Sequence, residues 1–169
     1  ELARLEEERI RLLGVMQENA RLRAMVGFAE ANPQLQLRPA RVIAKNISPY
    51  FRVLRLRLDA GEGIARPNMP VVAPSGLVGQ VISVAGDYCD VLLTVDTDSR
   101  IDILVQRNRA RGVLEGDGRD DEYRARVSYL LEGDDVAVGD VLVTSGYGGR
   151  FPREIVVGRI TEVEARRAG

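Results

Sequence analysis

Apolar residues in the first 31 positions recur at alternating intervals of three and four. One seam in this spacing contains Leu5, Leu12, Val15, Asn19, Leu22 and Val26, with Glu1 and Glu8 as further polar members. Leu, Arg, Glu and Ala dominate this stretch, and all four residue types favour helix. The pattern therefore predicts an α-helix over residues 1–31 that ends near Pro33.

This helix either packs against its own domain or pairs with a second copy in a parallel coiled coil. A long helix with a narrow apolar seam has little reason to persist alone. Asn19 lies at a seam position, where a core asparagine sets the register and favours a dimer at some cost in stability. We favour pairing over packing within the chain.

After Pro33 the hydrophobic period changes to two. Leu54, Leu56 and Leu58 alternate with arginine and aspartate, as on a half-buried strand, and residues 123–129 follow the same rule. Glycine-rich and proline-containing turns separate such runs. About ten short strands at this spacing are typical of small barrels or a sandwich, so the expected class is mainly β.

Two segments share one order of strand, Ser-Gly turn and a second strand with an internal glycine, which favours two small β-barrels. They run from Met69 to Val81 and from Asp140 to Ile160. We expect residues 38–75 plus 140–169 to form a discontinuous first barrel and residues 76–139 a second. The two segments would join or brace the barrels. The predicted turn positions are Gly76, Gly79, Ser145, Gly146, Gly148, Gly149, Pro152 and Gly158.

Composition narrows the function. Charges nearly cancel, with 24 basic and 25 acidic residues and 45% hydrophobic content, which indicates a folded domain and argues against nucleic-acid binding. Cys89 is the single cysteine, so no intrachain disulfide is expected, and its apolar surroundings predict a small buried side chain. No apolar run reaches the ~20 residues of a membrane span. Because residue 1 is Glu, we expect a targeting or anchoring segment ahead of it.

The sequence lacks the residues that most catalytic and metal sites need. It contains no histidine, so Ser145 has no imidazole base, and Lys45 is the single lysine. The segment Asp96–Ser99 resembles the start of a calcium loop without its later ligands, which favours a turn cap. The carboxylates between Asp117 and Glu122 are expected at a solvated hairpin tip. We predict no catalytic residue, no metal and no cofactor.

Two aromatic residues lie in or beside the glycine-rich turn, in a chain that has few aromatics. Tyr147 and Phe151 are predicted partner contacts, since exposed aromatics make good interface anchors. For Phe151 the alternative is that its ring plugs the end of a barrel.

The segment Thr144–Pro152, with Val157-Gly158 and Gly76–Val81, resembles the MreC family of bacterial rod-shape-determining proteins. One departure is visible: the family carries a glycine shortly after the Phe-Pro pair, where this chain has Arg153-Glu154. The resemblance implies a cytoplasmic tail and a membrane-spanning helix absent from this sequence, then a coiled coil and two barrels at the periplasmic face of the inner membrane. It implies barrels similar to those of chymotrypsin-type proteases, without the chemistry.

The resemblance also implies the function and the partners. Such proteins are scaffolds of the machinery that inserts peptidoglycan during cell elongation, and they form homodimers that can assemble further. The implied partners are a penicillin-binding transpeptidase, MreD, a RodA-type glycosyltransferase and, indirectly, MreB. We therefore expect a non-enzymatic scaffold. Two alternatives stay open: a barrel-type peptidoglycan hydrolase that uses carboxylates, and a monomeric module that binds peptides or sugars.

Overall fold

The structure is a computed structural model that describes residues 1–48, 53–118, 123–131 and 133–164. The chain divides into two compact units, Glu1–Arg38 and Pro39–Gly169. One is helical and the other is built from strands. This arrangement confirms the predicted mainly-β class with an N-terminal helix.

The first unit contains helix α1, Leu2–Ala31. The helix ends where Pro33 cannot continue the hydrogen-bond ladder, and the Asn32 side chain donates to the Phe28 carbonyl at 2.9 Å. Side chains of the predicted seam are exposed, from 48% at Leu22 to 62% at Leu5. No helix in the described ranges combines the length and the apolar character that crossing a membrane requires.

The second unit begins with a five-stranded antiparallel sheet, here called sheet A. Its spatial order is β1-β2-β5-β4-β3. Burial along β4 and β5 alternates between buried and partly exposed residues, which explains the period of two in the sequence. The strands of sheet A are β1 (Val42–Ser48), β2 (Val53–Leu58), β3 (Pro70–Ala73), β4 (Gly76–Ala85) and β5 (Tyr88–Leu93).

A second antiparallel sheet, sheet B, follows along the chain. Its spatial order is β10-β9-β6-β7-β8. The turn between β9 and β10 contains the tight segment Tyr147–Gly149, in which Gly148 has a left-handed backbone. The strands of sheet B are β6 (Arg100–Val105), β7 (Arg111–Gly116), β8 (Ala125–Ser128), β9 (Val141–Thr144) and β10 (Val156–Arg159).

The core of each sheet consists of its inward-facing aliphatic residues. Cys89 belongs to the core of sheet A and is 1% exposed, as its apolar surroundings predicted. Burial raises the pKa of the Cys89 thiol, and the charge of Asp90 acts in the same direction. Cys89 is therefore a packing residue and a poor nucleophile.

Strand pairing differs from the predicted division into a discontinuous first barrel and an inserted second one. β9 pairs with β6 in sheet B, where Ile103 lies opposite Thr144, and does not join β1–β3. The predicted boundary at residue 75/76 cuts the β3–β4 hairpin, in which Ala73 lies opposite Gly76. Pro74 and Ser75 form a two-residue turn, which makes β3 and β4 antiparallel neighbours in sheet A. All strands of sheet A precede those of sheet B along the chain.

Candidate partner-binding surface

The turn between β9 and β10 is built on a buried threonine. Thr144 is 0% exposed; its Oγ1 donates to the Pro152 carbonyl and accepts from the Ile155 N–H at 2.9 Å. One hydroxyl thus joins both sides of the turn. These two hydrogen bonds hold together the two ends of the turn segment from Ser145 to Pro152.

Ser145 is part of the turn backbone network. Its Oγ accepts from the Tyr147 N–H at 3.1 Å, and its own N–H donates to the Asp102 carbonyl at 3.0 Å. Ser145 is also 3% exposed. The Ser145 hydroxyl thus stabilises the backbone turn that leads to Tyr147.

Three glycines of the turn have left-handed backbone angles, with φ of 74° at Gly146, 72° at Gly148 and 65° at Gly149. At Gly146 a Cβ would also lie 2.1 Å from Cγ of Arg153, so the Arg153 side chain would have to move. Glu154 follows the Phe-Pro pair by two positions and also has a positive φ of 65°. Its carboxylate pairs with Arg109 at 2.6 Å, and this hydrogen bond lowers the pKa of Glu154.

The turn presents Tyr147 at the surface. The residue is 47% exposed, and the Arg111 guanidinium carbon lies 3.9 Å from the centroid of its ring. Arg111 is the first residue of β7, so the cation favours an orientation of the ring above sheet B. Tyr147 is therefore exposed and has a guanidinium packed against its ring.

Phe151 lies four positions after Tyr147 and is 8% exposed. Most of its ring is therefore not available to a partner. It lines two adjoining depressions of about 180 and 130 Å³, and Arg100 and Arg150 line both as well. Tyr147 lines the larger depression.

The two arginines of these depressions differ in their bonding. The Nε of Arg100 lies 2.9 Å from the Glu115 carboxylate, and its Nη1 donates to the Thr97 carbonyl at 2.7 Å. Within the described ranges, Arg150 makes no ion pair. The surface thus offers one fixed and one available guanidinium beside Tyr147.

Sheets A and B meet at the two segments that share one sequence order. A Cβ on Gly76 of β4 would lie 2.3 Å from the Val156 carbonyl oxygen of β10, and the φ of Gly76 is 135°.

The other predicted turn glycines differ in how closely neighbouring atoms approach them. Gly79 lies where a Cβ would approach the Leu92 carbonyl to 2.0 Å, whereas Gly158 has open space around it.

An ion-pair network holds the loop before β9. Arg107 donates to both carboxylate oxygens of Asp140 at 2.9 Å, and its Nη1 lies 2.6 Å from Asp135. The hydrogen bond from Arg107, followed by the Ala137 N–H, lowers the pKa of Asp140 to about 2. Asp140 therefore keeps its charge, and its pairing with Arg107, to a lower pH than an ordinary aspartate would.

The described residues contain no group of three or more metal-ligating side chains. Asp96, from the calcium-like segment, is buried and accepts from the Leu54 N–H at 2.7 Å and from the Asp98 N–H at 2.8 Å. It caps a turn and ties sheet A to the linker before sheet B. Of the carboxylates predicted near a hairpin tip, those at 120–122 lie outside the described residues.

Sequence reasoning predicted Tyr147 and the turn glycines but not the arginines around them. Arg100 lies on β6 and Arg111 on β7, so their approach to Tyr147 depends on the pairing of β6 with β7 and β9. Arg150 lies in the same turn as Tyr147, three positions later. A long-range pairing leaves no local signal in the sequence. The high arginine content of the sequence is the one signal that could have pointed to them, and it does not indicate which arginine faces the turn.

Comparison with known proteins shows which family the chain is similar to. Residues 42–169 match the family model described as rod shape-determining protein MreC, barrel core. The cell shape-determining protein MreC of Caulobacter vibrioides is 34% identical over 94% of this chain and 44% of its own length. The Escherichia coli protein is 35% identical over 95% of this chain and 43% of its own. The chain thus spans less than half the length of these relatives.

Solved structures share the fold. An MreC structure superposes with a TM-score of 0.80 at 30% identity, over 92% of this chain and 86% of its own. The major periplasmic domain of the cell shape-determining filament MreC gives 0.63 at 27% identity, over 76% and 82%. The complex between PBP2 and MreC from Helicobacter pylori gives 0.58 at 17% identity, over 76% and 79%, which shows the fold alone.

Proposed function

The chain belongs to the MreC family of rod shape-determining proteins, and from this premise we propose that it is a non-enzymatic scaffold of the cell-elongation machinery. In this role it organises peptidoglycan synthesis by holding a penicillin-binding transpeptidase. The observation that carries the proposal is the exposed Tyr147 ring, which Arg111 holds at 3.9 Å on a turn built from buried hydrogen bonds.

Rigidity supports a scaffold over a hydrolase. The hydroxyls of Thr144 and Ser145 are both used in the turn, and the Asp96 carboxylate is used by two backbone N–H groups. A nucleophile or general acid needs a free reacting atom beside a proton acceptor or donor. The polar groups around this turn instead preorganise a surface, which lowers the entropic cost of binding.

A penicillin-binding protein is the partner that we assign to this surface. The Helicobacter pylori relative has been solved as a complex with PBP2, and the same fold supports an equivalent partner here. Tyrosine and arginine are the residue types most enriched at the energetic centres of interfaces. Tyr147, Arg111 and Arg150 supply both types at one place.

We place this chain at the periplasmic face of the inner membrane, as a solved neighbour is described as the periplasmic domain of MreC. In that compartment the scaffold would meet MreD and a RodA-type glycosyltransferase, and through them MreB. Dimerisation would use the seam of α1, whose apolar side chains are exposed in a single chain. Residues Leu5, Leu12 and Val26 would then be buried by a second copy.

Co-purification with the periplasmic region of the transpeptidase tests the proposal. Tyr147→Ala is expected to weaken binding by about tenfold or more, because an aromatic anchor at an interface centre contributes at least about 1.4 kcal/mol. Phe151→Ala is a poorer probe, since emptying a buried site costs about 3–5 kcal/mol of stability. It is therefore compared at matched folded fraction.

Tyr88→Ala is the matched control. Tyr88 also lies under an arginine, with the Arg57 guanidinium carbon 4.0 Å from its ring centroid, but on sheet A. It is expected to leave transpeptidase binding unchanged. Equal binding by the wild type and Tyr147→Ala would remove this surface from the proposal, and no binding by the wild type would remove the partner.

A further inference from the structure

Strand β8 is an open edge of sheet B. In the described part of the chain, Ala125–Ser128 pairs with β7 alone. An unpaired edge presents backbone N–H and C=O groups to any extended segment that reaches it. The other edge of sheet B, β10, is partly covered by its contact with β4, where Val156 lies against Gly76.

The hydrogen-bond register shows which groups of β8 point outward. The Asp117 N–H donates to the Arg124 carbonyl, so this opposed pair is a hydrogen-bonded one. Bonded and non-bonded pairs alternate along an antiparallel ladder. The N–H and C=O groups of Ala125 and Val127 therefore point away from β7, toward the open edge.

The two faces of β8 differ in chemistry. Val127 lies opposite the buried Leu114. Its Cγ1 packs over Gly112, where an added Cβ would lie only 2.7 Å from it. On the other face, Arg126 lies opposite Glu115. An added strand would meet an apolar neighbour on one face and a cation on the other.

Arg126 is available to such a strand. Its cross-strand neighbour Glu115 is already bound by Arg100 at 2.9 Å and by the Ser128 hydroxyl at 3.2 Å. Arg126 itself is exposed and makes no ion pair with the residues that the structure describes. Opposite charges on directly opposed strand positions stabilise a sheet.

Exposed aromatic and aliphatic side chains flank this edge. Tyr123 is 59%, Tyr129 77% and Leu131 73% exposed. Both tyrosines have positive φ, 46° and 62°, which non-glycine residues adopt at a cost. Backbone strain of this kind clusters at ligand-binding and switch segments.

We infer that the open edge of β8 binds an extended segment of a protein partner by strand addition, and that this segment alternates apolar and acidic residues. Its backbone pairs with Ala125 and Val127, its apolar side chains lie beside Val127, and a carboxylate pairs with Arg126. Tyr129 and Leu131 cover one end of the segment. This edge is a second docking surface, separate in sequence and in chemistry from the Tyr147 surface.

Two short capped peptides test the inference on the full chain, one alternating valine with glutamate and one alternating valine with lysine. The glutamate peptide is expected to bind, with backbone NMR shifts centred on β8, and the lysine peptide to bind about fivefold or more weakly. Arg126→Glu should reverse this preference. Arg41→Glu, at an exposed arginine beside sheet A, makes the same change in net charge and should not.

Ala125→Pro tests the backbone step. It removes one outward N–H while the ladder to β7 stays intact, so the fold is retained and peptide affinity falls by about tenfold. Shifts that map elsewhere, or equal affinity for both peptides, would overturn the proposal. If Ala125→Pro instead changes self-association measured by sedimentation, the occupant is a second copy of this chain, and the assigned partner is wrong.

Discussion

The Asp96 carboxylate accepts a hydrogen bond from the Leu54 backbone N–H at 2.7 Å across 42 positions of sequence. Leu54 belongs to β2 of sheet A, and Asp96 lies in the linker that leads to sheet B. Both residues are buried, at 1% and 0% exposure. The Asp96 backbone also packs closely against Gly116 of sheet B. A Cβ on Gly116 would lie 2.0 Å from the Asp96 carbonyl oxygen. One residue thus joins the two sheets.

Asp96→Ala should destabilise the chain by about 1.5–3 kcal/mol. It removes the side-chain oxygens that accept from two N–H groups, those of Leu54 and Asp98, and leaves the first of them buried without a partner. Asp96→Asn keeps one carbonyl oxygen and should cost less. Urea unfolding measures both, and equal stability of Asp96→Ala and wild type would contradict the role of Asp96 as a tie.

Gly76→Ala should destabilise the junction between β4 and β10 by about 2 kcal/mol or more. The new Cβ would lie 2.3 Å from the Val156 carbonyl oxygen, and the φ of 135° disfavours any side chain. Gly158→Ala is the matched control, because the space around Gly158 is open. Its stability is expected within about 0.5 kcal/mol of wild type. Thermal unfolding that ranks the two variants in the opposite order would contradict this account.

The Asp140–Arg107 pair makes stability depend on pH in the acid range. The pKa of Asp140 falls from its ordinary 3.8 to about 2, so its contribution is complete above pH 4 and is lost as the pH falls toward 2. Arg107→Ala should raise the pKa of Asp140 and flatten stability between those values. NMR titration of the carboxyl carbon measures the pKa directly. Arg41→Ala is the control, and an unshifted Asp140 titration in Arg107→Ala would refute the assignment.

Asn19→Leu should change the association of α1. If Asn19 lies on a paired seam, leucine strengthens the pairing and removes the polar contact that selects a dimer, so larger oligomers appear. Gln17→Leu adds the same apolar group at a position off the seam and should leave the distribution unchanged. Sedimentation velocity measures both variants, and an identical distribution for Asn19→Leu and wild type would rule out this seam.

Local chemistry made part of the candidate site predictable. Tyr147 and the glycines around it were evident because a glycine-rich turn between two alternating runs needs left-handed angles, and Gly146 and Gly148 have them. The cation that orients Tyr147 was not evident. Arg111 is 36 positions earlier on another strand, and its ring contact at 3.9 Å depends on sheet pairing.

The sequence alone determined the helix over residues 2–31, because its apolar spacing is helical and Pro33 ends it. It also determined the mainly-β class of the rest, because alternation makes one face of each strand apolar. It also excluded an imidazole base at Ser145. Only the tertiary structure decided that β9 pairs with β6, that Asp96 caps Leu54 and that Gly76 meets Val156. Those contacts join distant residues, and many pairings satisfy the same local pattern, so their choice depends on the packing of the whole unit.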